Sequence, residues 1–205
     1  ELFQQWLDGQ EPHLGLDLSQ HTDSWKTVLL VLNRDAKPDV EWNNSVLAEF
    51  RHSFRALGEY LERVLWRLRH GELVGLKPKV VVIMIGTNNV GHGSSNPQQT
   101  ADGVRAIVAE LLAKVPSTKI LLLGIFPRGA EANDDMRVKV AAATEGFKGV
   151  ADGWRVRFLD VGFAFTRVDG SLRSMLMPDL LHLNDGGYEI WSKAIGPTLR
   201  AMLSG

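Results

Sequence analysis

The stretch that most limits what this chain can become is Lys79 to Ile85 (KVVVIMI), an apolar run rich in β-branched residues. It shows no polar alternation, so as a strand it must be covered on both faces, the situation of a parallel sheet between helical layers. The run stops at Gly86-Thr87-Asn88-Asn89. Small and amide residues therefore sit at the carboxyl end of a buried strand, the edge at which open α/β sheets bind ligands. Asparagine there is also an ordinary turn former. A second polar cluster far downstream, Asp179-Leu180-Leu181-His182, gives the first its weight.

The segments on either side repeat the pattern. Upstream, Trp25 to Arg34 reads as a buried strand or a short helix, and Lys37-Pro38 breaks it because a residue before proline avoids the helical region. Asn43-Asn44-Ser45 offers N-cap chemistry ahead of a helical apolar stripe from Val46 to Leu57. Gly58 interrupts that stripe, and Leu61 to Leu68 resumes it. Downstream, Val90 to Gln99 reads as a Gly/Ser/Asn/Pro loop, Thr100 to Lys114 as an amphipathic helix and Lys119 to Phe126 as a second buried strand. Met136 to Val150 reads as a helix and Val156 to Val161 as a strand. Asp169-Gly170 marks a turn, and Asp185-Gly186-Gly187 precedes a last helix to about Leu203. Strands alternating with helices at this spacing predict an α/β fold, a parallel sheet wrapped on both faces. Residues 1–24 show no sustained period and read as an N-terminal arm or cap, with residues 25–205 forming one domain.

Composition narrows the function classes. The 205 residues carry a formal net charge of −1, with 44% hydrophobic and 23% charged, which offers no basis for a nucleic acid or an anionic membrane as partner. No apolar stretch approaches the roughly 20 residues of a membrane-spanning helix. Without cysteine there is no disulfide, thiol nucleophile or thiolate metal site. The compartment stays open, with a lean toward export from the start at Glu1 and the missing cysteine. No close His/Glu spacing implies a metal, and no glycine-rich phosphate loop follows a strand, so no cofactor is expected. The nucleophile elbow Gly-x-Ser-x-Gly of α/β-hydrolases is absent as well.

Asp179 and His182 lie three apart, which in a helical turn makes them neighbours. The carboxylate could hold an imidazole N–H, fix the tautomer and stabilise the imidazolium, as the acid and base of a hydrolase triad do. A capping aspartate beside a surface histidine has the same spacing. Asn88 can supply an amide donor at the strand edge and Gly58 a backbone N–H, and two converging donors make an oxyanion hole. Taken alone, Gly58 reads as a helix break, Arg128 as a solvated charge in a turn, and His92 as a mobile surface side chain.

In this order the segments resemble the SGNH (GDSL-type) hydrolases, and among them the branch similar to the catalytic subunits of platelet-activating-factor acetylhydrolase. The resemblance runs from about Lys37 to the C-terminus. It is carried by Val64-Leu65-Trp66-Arg67-Leu68, Gly71-Glu72-Leu73, Gly86-Thr87-Asn88-Asn89, Leu123 to Gly129 (LGIFPRG) and Asp179-Leu180-Leu181-His182-Leu183. It implies a three-layer α/β/α sandwich with a parallel, flavodoxin-like sheet of about five strands. It also implies an esterase of short acyl groups, often acetyl, on a small-molecule ester. The reaction would pass through an acyl-serine without metal or organic cofactor, and a homodimer becomes plausible. Asn88 and Gly58 would then be the oxyanion donors, Asp179 the acid and His182 the base.

One element of that family is missing. Its nucleophilic serine sits in a Gly-Asp-Ser-(Ile/Leu) block at the end of the first strand. Here Glu41-Trp42-Asn43-Asn44-Ser45 follows Lys37-Pro38-Asp39-Val40 directly. A second omission falls between Leu57 and Gly58, where the family has its second strand. Three readings stay open: residues of the natural molecule are absent from this chain; Asn43-Asn44-Ser45-Val46 stands in for the block, with Ser45 as nucleophile; or the domain is a non-catalytic binding module that keeps the pocket without the serine.

Overall fold

The computed structural model describes residues 29–32 and 60–204. The arm over residues 1–24, the break at Lys37-Pro38, the stripe from Val46 to Leu57, and the positions of Ser45 and Gly58 lie outside the described residues.

The apolar run forms β2 (Val80–Ile83), every residue of which is buried. Because side chains alternate across a strand, β2 feeds two separate cores. Val81 and Ile83 join Ile120, Leu122 and Val156 on one face, while Val80 and Val82 join Leu121 and Leu123 on the other. Strand β3 (Lys119–Leu123) runs parallel to β2, with Val80 opposite Lys119, and β4 (Val156–Leu159) runs parallel to β3, with Ile120 opposite Val156. Strand β1 (Leu29–Leu32) resolves the ambiguity of Trp25 to Arg34 in favour of a strand. It departs from the all-parallel expectation by pairing with β2 antiparallel, Leu29 opposite Ile83. Among the described residues the sheet has four strands in the order β1-β2-β3-β4.

Helices cover both faces. Helix α1 (Leu61–Arg69) turns Leu61, Val64, Leu65 and Leu68 into the first core, the i, i+3, i+4, i+7 stripe of an amphipathic helix. Helix α2 (Thr87–Gly91) is a single turn that follows β2. Helix α3 (Pro97–Lys114) packs Val104, Ile107, Val108 and Leu111 on the same face as α1. It starts inside the expected loop because Asn96 and Gln99 form a reciprocal capping box, with Pro97 in the first turn. Helix α4 (Asp135–Lys148) adds Val140, Ala143 and Phe147. The opposite face is covered by α5 (Asp185–Ser204), which contributes Trp191, Ile195 and Leu199. Asp185-Gly186-Gly187 opens that helix rather than preceding it, since Asn184 Oδ1 accepts the N–H of Gly187. Each fully buried Leu, Ile or Phe contributes about 1.5–3 kcal/mol over its exposed state, so two apolar cores hold the sheet and fix its carboxyl edge. No described helix is long and apolar enough to cross a membrane.

Candidate active site

At the carboxyl end of β2, Gly86 takes φ +116, and a Cβ there would lie 2.8 Å from Thr100 Cγ2 and 3.0 Å from Ile125 Cδ1. Only glycine suits both the angle and the space, and the turn it makes starts α2. The two asparagines of that turn part company. Asn89 is fully buried: its Oδ1 accepts the N–H of Leu61 at 3.1 Å, and its Nδ2 donates to Glu62 Oε2 at 2.9 Å. It thereby caps α1 from a distance, where the local N-cap residue Tyr60 offers no side-chain bond. Asn88 is only half-buried and stands at the sheet edge expected of an oxyanion donor. The partner donor expected at Gly58 lies outside the described residues.

Two side chains read as surface features are in fact engaged. His92 is exposed, but its Nδ1 lies 2.8 Å from the Tyr60 hydroxyl. Arg128 is half-buried rather than solvated. Its Nη1 donates to the Thr87 carbonyl at 2.9 Å and to Thr87 Oγ1 at 3.3 Å, and burial lowers its pKa from the ordinary arginine value.

The Asp179–His182 spacing does produce a pair, though by another route than a helical turn. Asp179 Oδ2 lies 2.6 Å from His182 Nδ1, while Oδ1 accepts the backbone N–H of His182 at 2.7 Å and of Leu181 at 3.1 Å. For one carboxylate to reach all three, the chain must fold back at Leu180. Leu180 has φ +62 and is the only non-glycine residue with positive φ among those described. A side chain in that region costs about 1–2 kcal/mol, and two backbone bonds hold it there: the Leu180 N–H to the Met177 carbonyl at 3.0 Å, and the Gly129 N–H to the Leu180 carbonyl at 3.1 Å.

Desolvation pushes the Asp179 carboxyl upward. The backbone N–H and ring of His182 and the N–H of Leu181 outweigh it and hold the pKa at about 2. Asp179 is therefore an ionised acceptor at ordinary pH, and His182 Nδ1 must be the donor. The proton on Nδ1 leaves the lone pair of Nε2 outward. The imidazole is 72% exposed, and Nε2 has no hydrogen-bond partner, serine or otherwise, among the described residues. A histidine oriented by a carboxylate with its other nitrogen open has the arrangement a general base requires.

One side-chain contact and one backbone contact join this pair to the Asn88 turn. Arg128 reaches Thr87, and the next residue, Gly129, reaches Leu180. The sequence singled out Asn88, Asp179 and His182. It missed Asn89 as a distant cap, Leu180 as a strained pivot, and Arg137, whose guanidinium donates to three backbone carbonyls beside Gly129. None of the three has a local signature, because each is defined by a partner far along the chain.

A model of the GDSL-like lipase/acylhydrolase family matches residues 20–190, a span that includes Asn88, Asp179 and His182. The chain belongs to that family. It is 34% identical over 196 residues to the platelet-activating factor acetylhydrolase IB subunit alpha2 of Rattus norvegicus, a match covering 86% of this chain and 83% of the relative. Among solved structures, an alpha/beta hydrolase enzyme from the metagenome of Lake Arreo, Spain, superposes with a TM-score of 0.60 at 22% identity, covering 78% of this chain and 81% of the other. A carbohydrate acetylesterase from Sinorhizobium meliloti superposes at 0.52 with 20% identity, covering 67% of each. The fold is thus the three-layer α/β/α sandwich of the GDSL-type hydrolases, and the protein is a hydrolase of the acyl-ester class.

Proposed function

We propose that this GDSL-family acylhydrolase cleaves short-chain esters, acetyl esters above all, of a carbohydrate or lipid-like alcohol through an acyl-serine intermediate. The observation that carries the reading is the Asp179–His182 pair with its free Nε2, tied through Arg128 and Gly129 to the turn that presents Asn88. In the first half-reaction a serine Oγ attacks the ester carbonyl carbon as its proton passes to His182 Nε2. The carbonyl oxygen becomes an oxyanion that accepts hydrogen bonds from the Asn88 amide and the Gly58 N–H. Collapse of the tetrahedral species breaks the bond to the alcohol oxygen, which takes the proton back from His182. Water, deprotonated by the same nitrogen, then attacks the acyl-serine carbonyl; collapse breaks the bond to the serine oxygen, which takes that proton from His182 as the acid is released. Asp179 stays ionised throughout and keeps Nδ1 protonated. Ser45 is the candidate nucleophile the sequence offers.

Two comparisons favour acetyl as the acyl group: a curated relative is named an acetylhydrolase, and a structural neighbour is a carbohydrate acetylesterase. The test is a series of p-nitrophenyl esters of rising chain length. The expected order of kcat/KM is acetate, then butyrate, then octanoate. A preference for octanoate would overturn the short-chain assignment, and failure to hydrolyse any ester would overturn the esterase reading itself.

A further inference from the structure

The catalytic steps leave unused one buried cation at this edge of the sheet, Arg137 on α4, which is only 9% exposed. Its Nε donates to the carbonyl of Arg128 at 3.1 Å, its Nη2 to that of Gly129 at 2.8 Å, and its Nη1 to that of Gly170 at 3.0 Å. A guanidinium can span divergent acceptors because its donors are set in a rigid fork, whereas an ammonium is a single point. Burial lowers its pKa from the ordinary arginine value, and nearby Asp134 and Glu131 offset part of that.

What Arg137 holds is the peptide that holds the catalytic turn. The carbonyl of Gly129 is gripped by Arg137, and its N–H is the donor to Leu180. Gly129 sits at φ +83, with no space for a Cβ, which would lie 2.5 Å from Asp134 Oδ2. Glycine alone suits that position, and the grip of Arg137 on the Arg128 and Gly129 carbonyls is what aims the N–H. On the other side of Leu180 lie Asp179 and, beyond Leu181, His182, whose contacts exist only while Leu180 keeps its positive φ. We infer that Arg137 is a positioning residue for the Asp179–His182 pair, acting through the Gly129–Leu180 backbone hydrogen bond. The kinetic arm of this inference rests on His182 being the catalytic base; the structural arm does not.

The test reads the His182 tautomer by nitrogen NMR of the ring through its carbon-bound protons, together with kcat and KM, in the full chain. The wild type should show the Nδ1–H tautomer set by Asp179. Arg137→Lys should shift His182 toward a tautomer mixture and lower kcat about 10- to 100-fold, with KM within about twofold. Arg105→Gln is the control: Arg105 on α3 also fastens backbone, at Gly146, and pairs with Asp102, but it does not touch the catalytic turn. It should cost stability and leave both tautomer and kcat in place. Leu180→Val offers a second route should Arg137→Lys fail to fold, because a β-branched residue resists positive φ. It should reproduce the tautomer shift. An unchanged tautomer in Arg137→Lys or in Leu180→Val would overturn the inference, as would an equal kcat loss in Arg105→Gln. Normal hydrolysis by His182→Ala would instead overturn the catalytic reading, with the tautomer still deciding what Arg137 does.

Discussion

The two stretches that Arg128 and Gly129 link, the Asn88–Asn89 turn and the Asp179–His182 turn, are built by opposite means. The Asn88–Asn89 turn grows directly from β2, whose residues are fully buried, and Asn89 locks it to α1 with buried amide bonds. The Asp179–His182 turn lies between a loop and α5, and the side chains of both residues are more than half exposed. It keeps its shape through one carboxylate, one strained backbone angle and a long-range N–H from Gly129. The hydrophobic core thus positions the candidate oxyanion donor, while a few hydrogen bonds, local and long-range, position the candidate base. Damage to the buried anchor of the first, Asn89, should show as lost stability, and damage to the groups that face substrate, Asn88 and His182, as lost rate.

The sharpest break in that comparison is His182→Ala. Its side chain is exposed, so the melting temperature should hardly move, while kcat should fall about 10³-fold or more. Next come the neighbouring asparagines, which should separate cleanly. Asn88→Ala should lower kcat by about 10²- to 10³-fold, the usual loss of one oxyanion donor, with little change in unfolding free energy. Asn89→Ala should cost about 1–3 kcal/mol in denaturant unfolding, because it leaves the buried Leu61 N–H without its acceptor. The folded fraction of that variant should stay active. If Asn89→Ala lost rate and Asn88→Ala lost stability, the division of labour drawn here would be reversed.

The smallest effect is with pH. The folded-state pKa of Asp179 is lowered from 3.8 to about 2, so its contribution to stability is complete above the unfolded value and is lost as pH falls through the folded one. Both side chains are exposed, so the contribution is that of a surface pair, about 0–1 kcal/mol. Unfolding followed from about pH 5 down to pH 2 should differ between wild type and Asp179→Asn by no more than that. The acid limb of kcat/KM should not come from Asp179.

How much of this was legible in the sequence follows from where each feature gets its information. The run at Lys79 to Ile85 carries its own burial requirement, and the Asp-x-x-His spacing its own reach, so β2 and the pair were readable. The antiparallel course of β1 was not, because an apolar run records that a strand is buried and not which way it points. The start of α3 was written in Asn96, Pro97 and Gln99, but the Gly and Ser residues just before them pulled the reading toward a loop. Leu180 is the instructive miss. Nothing about leucine suggests a left-handed angle, and the angle exists because Asp179 and Gly129 together require it. Asn89 and Arg137 were invisible for a like reason, their partners lying on other elements of the fold.

The most direct test of the central claim is the intact mass of the protein after a fluorophosphonate probe, wild type beside His182→Ala. An acyl-serine enzyme with His182 as its base should give one adduct per chain on a serine in the wild type, which peptide mapping would place, and greatly slowed labelling in the variant. No adduct on the wild type, or equally fast labelling of His182→Ala, would contradict an acyl-serine enzyme with His182 as its base.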